Sequence, residues 1–131
     1  MPMIDVYATA GTFPDPHGLA RTLARSVMEI EQVPDIPLFR RNTAAFVHDL
    51  PAGALSNVDG AGDYVRVQVL TNAGALDRDK QLAAVRRLTD AVAAAAAGMS
   101  VRDGSPRYDA SRRVVAARST ATARVRSRAL R

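Results

Sequence analysis

The chain has 131 residues, of which 47% are apolar and 24% charged, with 18 Lys and Arg against 13 Asp and Glu for a formal net charge of +5. A chain of this length builds one domain with a real core, not two. It contains no cysteine and two histidines, His17 and His48, which excludes disulfides, thiolate nucleophiles and cysteine metal sites and leaves too little for a metal cluster.

The first stretch, Met1-Pro2-Met3-Ile4-Asp5-Val6-Tyr7-Ala8, is apolar and β-branched and predicts a strand at the start of the chain. Its second residue is proline. Initiator methionine is usually removed before proline, so the mature chain is expected to begin with Pro2 and to present a secondary amine at the mouth of a buried strand. A free α-amino group titrates near roughly 8, and apolar burial lowers that value because it disfavours the cation. Such an amine suits a general base or nucleophile. The competing reading is that Met-Pro opens many chains with no chemistry attached.

Thr9-Ala10-Gly11-Thr12 then turns the chain. Pro14-Asp15-Pro16 reads as a helix start, with Asp15 as cap and Pro16 at the first helical position, where no N–H is needed. Leu19, Leu23, Val27 and Ile30 form one apolar stripe, with Arg21, Arg25 and Glu29 outside it. Pro34 and Pro37 prevent continuation. Leu38 to Asn42 leads into a second strand, Thr43-Ala44-Ala45-Phe46-Val47-His48. Strand, crossover helix and strand make a right-handed βαβ unit with parallel strands.

Pro51 to Gly62 is a loop, followed by the clearest strand, Asp63 to Thr71, with Val65, Val67 and Val69 on the face that helices should cover. Asp77 caps a second helix whose predicted stripe is Leu82, Val85, Leu88 and Val92. Gly98 stands where a C-terminal helix glycine belongs. Residues 1–50 and 63–97 thus repeat one plan, which predicts a fourth strand after Gly98, parallel to the third. Only Val114-Val115 offers itself there. The fold class expected is α+β: tandem β-α-β units with a four-stranded mixed sheet and two helices on one face.

Charge divides the chain at the same place. Residues 1–97 hold nine Lys and Arg against eleven Asp and Glu, a balance of −2, whereas residues 98–131 hold nine Arg against two Asp, a balance of +7. We therefore expect a domain over 1–97 and a basic Arg/Ala/Ser-rich tail over 98–131, which reads as disordered or polybasic sequence. No apolar run reaches bilayer-spanning length and no leader opens the chain, so a soluble, cytoplasmic protein is expected.

A proline at the start of a βαβ unit, with the unit doubled in a chain of this length, resembles the tautomerase superfamily, which includes 4-oxalocrotonate tautomerase, macrophage migration inhibitory factor, malonate semialdehyde decarboxylase and cis-3-chloroacrylic acid dehalogenase. The stretches Ile4 to Phe13, Thr43 to His48 and Tyr64 to Leu70 resemble an actinobacterial-type branch of it. The resemblance covers about residues 1–97 and implies a catalytic Pro2, no cofactor, and assembly as a homo-oligomer, a trimer above all. This chain departs from the pattern twice. Thr71 and Asn72 stand where decarboxylase-like members carry arginines. The Trp-, Val- and Leu-rich last strand and Gly-Gly-Trp-Gly-like turn of the branch do not follow Gly98. An Arg/Ser/Ala-rich tail is what a high-GC gene yields out of frame, so an altered or frameshifted C-terminus is expected, and sequencing the gene tests it.

Topology nominates the polar partners. Parallel strands begin at one sheet edge, which places Arg40, Arg41 and Asn42 beside Pro2. An antiparallel third strand would bring Thr71 and Asn72 to the same edge. Guanidinium matches carboxylate bidentately, and Asn or backbone N–H groups can steady an enolate oxygen. Arg40 and Arg41 read equally as surface charges, and Asn72 as a plain turn residue. Arg66 reads as a salt-bridging or interface residue, His48 as structural at the edge away from Pro2, His17 as surface, and Asp5 as a partner for a neighbouring strand.

The leading functional expectation is a cofactor-independent keto–enol tautomerase of small 2-oxo or enol carboxylic acids, with Pro2 as base. Hydration or dehalogenation of an unsaturated acid, with Pro2 as acid, would need a water-activating carboxylate, and no Glu is evidently placed for it. A rival from another class is a binding protein whose basic tail holds nucleic acid or an anionic surface non-specifically through counterion release.

Overall fold

A computed structural model describes residues 2–62 and 64–97 and the short strand at 113–116. The expectations about removal of Met1, about Asp63 and Gly98, and about the tail apart from residues 113–116 lie outside the described residues. Strand β1 (Met3–Thr9) leads to helix α1 (Pro16–Glu31), the single-turn α2 (Pro37–Arg41) and strand β2 (Ala44–Leu50). Strand β3 (Tyr64–Leu70), helix α3 (Arg78–Ala97) and strand β4 (Arg113–Ala116) complete the elements.

The centre of the fold is a mixed sheet in which β1 lies between β2 and β3. β1 and β2 are parallel, with Met3 opposite Ala44 and Thr9 opposite Leu50. β1 and β3 are antiparallel, with Met3 opposite Leu70 and Tyr7 opposite Arg66. Residues 113–116 pair in parallel with β3, Tyr64 opposite Arg113. The alternation of β1 is strict: Ile4, Val6 and Ala8 are buried at 0–1% exposure, while Met3, Asp5, Tyr7 and Thr9 are half-buried on the other face.

Helix α1 starts where Asp15 accepts a hydrogen bond from the Gly18 N–H at 2.9 Å, with Pro16 as its first residue. Its stripe of Leu19, Leu23, Val27 and Ile30 is buried and joins Ile4, Val6, Val65, Val67 and Val69 in one core. It ends at Gln32, whose left-handed backbone (φ 59°) sends its N–H back to the Glu29 carbonyl. Among the described residues no helix is long and apolar enough to cross a membrane.

Two expectations need correction. The two helices expected are joined by a third, short one in the segment before β2, to which the sequence reading assigned no element. Pro37 begins α2, whose last residues are Arg40 and Arg41; Pro37 suits a first helical turn because its missing N–H is not needed there. The apolar stripe of α3 is also rotated from the predicted one. Leu88 and Val92 are buried as expected, but Leu82 and Val85 are 54% and 46% exposed, and Ala84 takes the inward position at 6%. At about 100° per residue, Leu82 lies about 120° from Leu88, whereas Ala84 lies within about 40° of it. Small residues, Ala84 with the partly buried Ala91 and Ala95, line the inward face instead.

This difference is measurable by urea unfolding. Leu88→Ala is expected to cost about 2–4 kcal/mol through the cavity it leaves, and Leu82→Ala less than about 1 kcal/mol.

Candidate active site at the sheet margin

Three chain segments converge where β1 begins. The parallel neighbour β2 begins there, and the Ala44 N–H donates to the Pro2 carbonyl at 3.4 Å. The antiparallel neighbour β3 ends there, since Met3, which follows Pro2, faces Leu70, which precedes Thr71. The crossover helix α1, running back over the sheet, delivers its last residue, Glu31, to the same margin, where the Thr71 hydroxyl donates to the Glu31 carboxylate. Pro2 is buried and has the parity of Ile4 and Val6, so its ring lies on the helix-covered side of the sheet. Thr71 is 7% exposed and has the parity of Val69 on that same side.

The six residues nominated from sequence are placed as follows. Pro2 and Thr71 are the residues next beyond the Met3–Leu70 pair that closes the β1–β3 ladder. Asn72 follows Thr71 in the turn and is exposed; its carbonyl accepts from the Ala75 N–H at 3.1 Å. Asn42 closes α2: its side-chain amide donates to the Leu38 carbonyl at 2.7 Å, and its backbone N–H to the Phe39 carbonyl at 3.2 Å. Arg40 is exposed and bonded to Asp35 at 3.4 Å, while Arg25 holds the same carboxylate at 3.0 Å. Arg41 is exposed and, among the described residues, takes part in no ion pair. Arg41 is therefore the more available guanidinium of the pair.

Glu31 was missed in the sequence although it leaves a signal there. It continues the i, i+4 row of Leu19, Leu23 and Val27, so a charge falls on the core-facing row of α1. Such a carboxylate needs a donor or a cation to be tolerated.

The side of the sheet away from the helices carries a different group. His48 Nε2 lies 2.8 Å from Asp5 Oδ1, its ring stacks on Tyr7 at 4.5 Å, and the Arg66 guanidinium lies 5.7 Å from the Tyr7 ring centre. Asp5 thus pairs with a neighbouring strand, and His48 stands toward the far end of β2 from Pro2. His17 is exposed in the first turn of α1. A cavity of about 260 Å³ lined by Thr9, Gly11, Thr12, Gly62, Tyr64 and Val65 lies at the opposite margin, a strand length of roughly 20 Å from Pro2. Its lining contains no charged side chain.

No family model matches the sequence, and no curated protein matches it. Solved structures do. A fused 4-OT described as a symmetric trimer superposes with a TM-score of 0.58 at 21% identity, over 71% of this chain and 72% of that one. Native fused 4-OT gives 0.58 at 17% identity, over 71% and 74%. N1, a member of the cis-3-chloroacrylic acid dehalogenase family, gives 0.57 at 19% identity, over 72% and 64%. The fold is that of the tautomerase superfamily.

Asn42 holds a helix end in this geometry. Asn42→Ala is expected to lower stability by about 1 kcal/mol through loss of the amide bond to Leu38, read as a shift in the urea midpoint at unchanged slope.

Proposed function

We propose that the chain is a cofactor-independent keto–enol tautomerase of small 2-oxo or enol carboxylic acids, and that Pro2, exposed by removal of Met1, is its general base. The observation that carries this reading is the burial of Pro2 at a margin shared with Thr71 and with α2, within a tautomerase fold. The unprotonated ring nitrogen accepts the proton of the enol hydroxyl as the carbonyl forms. The resulting ammonium then returns a proton to the substrate carbon, leaving the amine as it began. Arg41 is the carboxylate clamp and Arg40, tied to Asp35, a lesser one. Asn72 and the backbone N–H groups around it steady the developing enolate oxygen.

The chain is also proposed to be a tandem β-α-β fold, with β3, α3 and β4 repeating the plan of β1, α1 and β2. We further propose that it assembles as a homo-trimer. The fused 4-OT structures described as trimers support this, as does a sheet face that no helix covers among the described residues. That face carries Met3, Tyr7, His48, Leu70 and Phe46, the last 48% exposed.

Two experiments test these assignments. Mass spectrometry of the purified chain should show Pro2 as the first residue, and Pro2→Ala should lower ketonisation of 2-hydroxymuconate or enol-phenylpyruvate by at least about 100-fold, the usual scale of a lost general base. Retention of Met1, or full turnover by the alanine variant, would end the reading. Arg41→Ala should raise KM about tenfold or more through loss of a charged hydrogen bond, with a smaller effect for Arg40→Ala. For assembly, Phe46→Glu should reduce the light-scattering mass from that of a trimer to that of a single chain; an unchanged mass would exclude this face as the interface.

A further inference from the structure

The Glu31 carboxylate is placed where its local surroundings do not favour it. It is the last residue of α1, a helix with no basic residue in its final turn, so it sits at the negative end of the helix dipole. It is half-buried, and its bonded partner is a neutral hydroxyl, Thr71, itself 7% exposed. Glu29, two residues earlier in the helix, is relieved by Arg87 at 2.7 Å. Glu31 has no such relief: among the described residues no cation pairs with it. Buried carboxylates are ordinarily matched by a cation. On the proline reading the mature chain supplies one at this margin, the Pro2 ammonium, since Pro2 and Thr71 are the residues next beyond the Met3–Leu70 pair.

We infer that Glu31, anchored by the Thr71 hydroxyl, is the positioning residue that sets the protonation of the Pro2 nitrogen. The inference rests on the proline reading given above. Burial alone drives an amine down from roughly 8 by as much as several units, far enough to leave a weak base. A carboxylate at the same margin favours the ammonium and opposes that fall, keeping the nitrogen basic enough to take a proton from an enol near neutral pH. Among the described residues, the other charged groups on the elements that meet at this margin are Arg40 and Arg41 on α2, Asp35 in the loop before it, and Glu29 on α1. Asp35 is bonded to Arg25 and Arg40 and Glu29 to Arg87. Arg41 acts in the opposite sense to Glu31, so the nitrogen titrates between one negative and one positive neighbour.

The test is a titration of full-length protein labelled with 15N-proline, following the Pro2 nitrogen, together with the pH profile of kcat/KM. Glu31→Gln keeps the size and hydrogen-bonding capacity of the side chain and removes its charge. The Pro2 midpoint is expected to fall by about one pH unit, and the acid limb of the rate profile to move down with it. Glu31→Asp should restore most of the wild-type midpoint. Should Glu31→Gln yield too little folded protein, Thr71→Val reads the same quantity, because it releases the carboxylate and lowers the midpoint by a smaller amount. A Pro2 nitrogen that titrates identically in these variants overturns the inference while leaving the proline reading intact. A wild-type chain that keeps Met1 has no titrating ring nitrogen and overturns both.

Discussion

β1 is hydrogen-bonded to a parallel strand on one side and an antiparallel strand on the other, and this asymmetry decides what can meet at its first residue. A parallel neighbour contributes its beginning to that margin and an antiparallel neighbour its end. Were β3 parallel to β1, Thr71 would stand a strand length away, roughly 20 Å. Because β1 and β2 are parallel they need a crossover, and helix α1 returns over the sheet to bring Glu31, its last residue, against Thr71 at the end of β3. A strand start, a strand end and a helix end therefore share one margin. Each of them leaves backbone and side-chain polar groups not consumed by regular pairing.

Packing holds this arrangement in register. Ile4 and Val6 are wholly buried beneath the stripe of α1, and a one-residue slip of β1 would turn them to the open face and carry Asp5 and Tyr7 into the core. Burial of each large aliphatic side chain contributes about 1.5–3 kcal/mol. The ion pairs contribute far less. Arg25–Asp35, Arg40–Asp35 and Arg87–Glu29 have side chains about half exposed, where such pairs are worth about 1 kcal/mol at most. They align the helices over the sheet without holding it together. The strictness of the β1 alternation is thus what keeps the Pro2 ring on the helix-covered side.

Much of this was legible in the residues because each feature had a local cause. Pro14-Asp15-Pro16 can hardly be anything but a helix start, and the Asp15 bond to Gly18 is the bond that such a sequence encodes. Val65, Val67 and Val69 alternate without interruption, so their burial follows from period alone. The parallel pairing of β1 and β2 followed from crossover geometry, whereas Thr71 and Asn72 were expected at the edge of Pro2 only on the condition that the third strand ran antiparallel. What escaped had tertiary causes. Leu82 is more apolar than Ala84, yet angle around the helix, not apolarity, selects the inward residue. Single-turn α2 is too short to show any period, and only Pro37 hints at it. Glu31 was hidden by its neighbour Ile30, which completes the apolar stripe equally well. The charge on the Leu19-Leu23-Val27 row became conspicuous only when the end of β3 was seen beside it.

The same margin gives the site a direction. With Arg41 on the α2 side and Glu31 with Thr71 on the side of α1 and β3, its two ends differ in sign. A substrate carboxylate brought within about 4 Å of Glu31 would meet about 4 kcal/mol of repulsion at the effective dielectric of such a site, and a comparable attraction at the same distance from a guanidinium. For the 2-oxo acid proposed as substrate, these two terms would act together to turn it one way round, with its carboxylate toward α2 and its enol oxygen toward β3. A Glu31 that tunes the amine would then also exclude the reversed pose. Neither effect needs an arginine at the end of β3. Thr71 in that position removes a cation that would otherwise neutralise Glu31 and depress the proline further, so the absence of arginine there and the presence of a carboxylate at the end of α1 are two parts of one electrostatic arrangement.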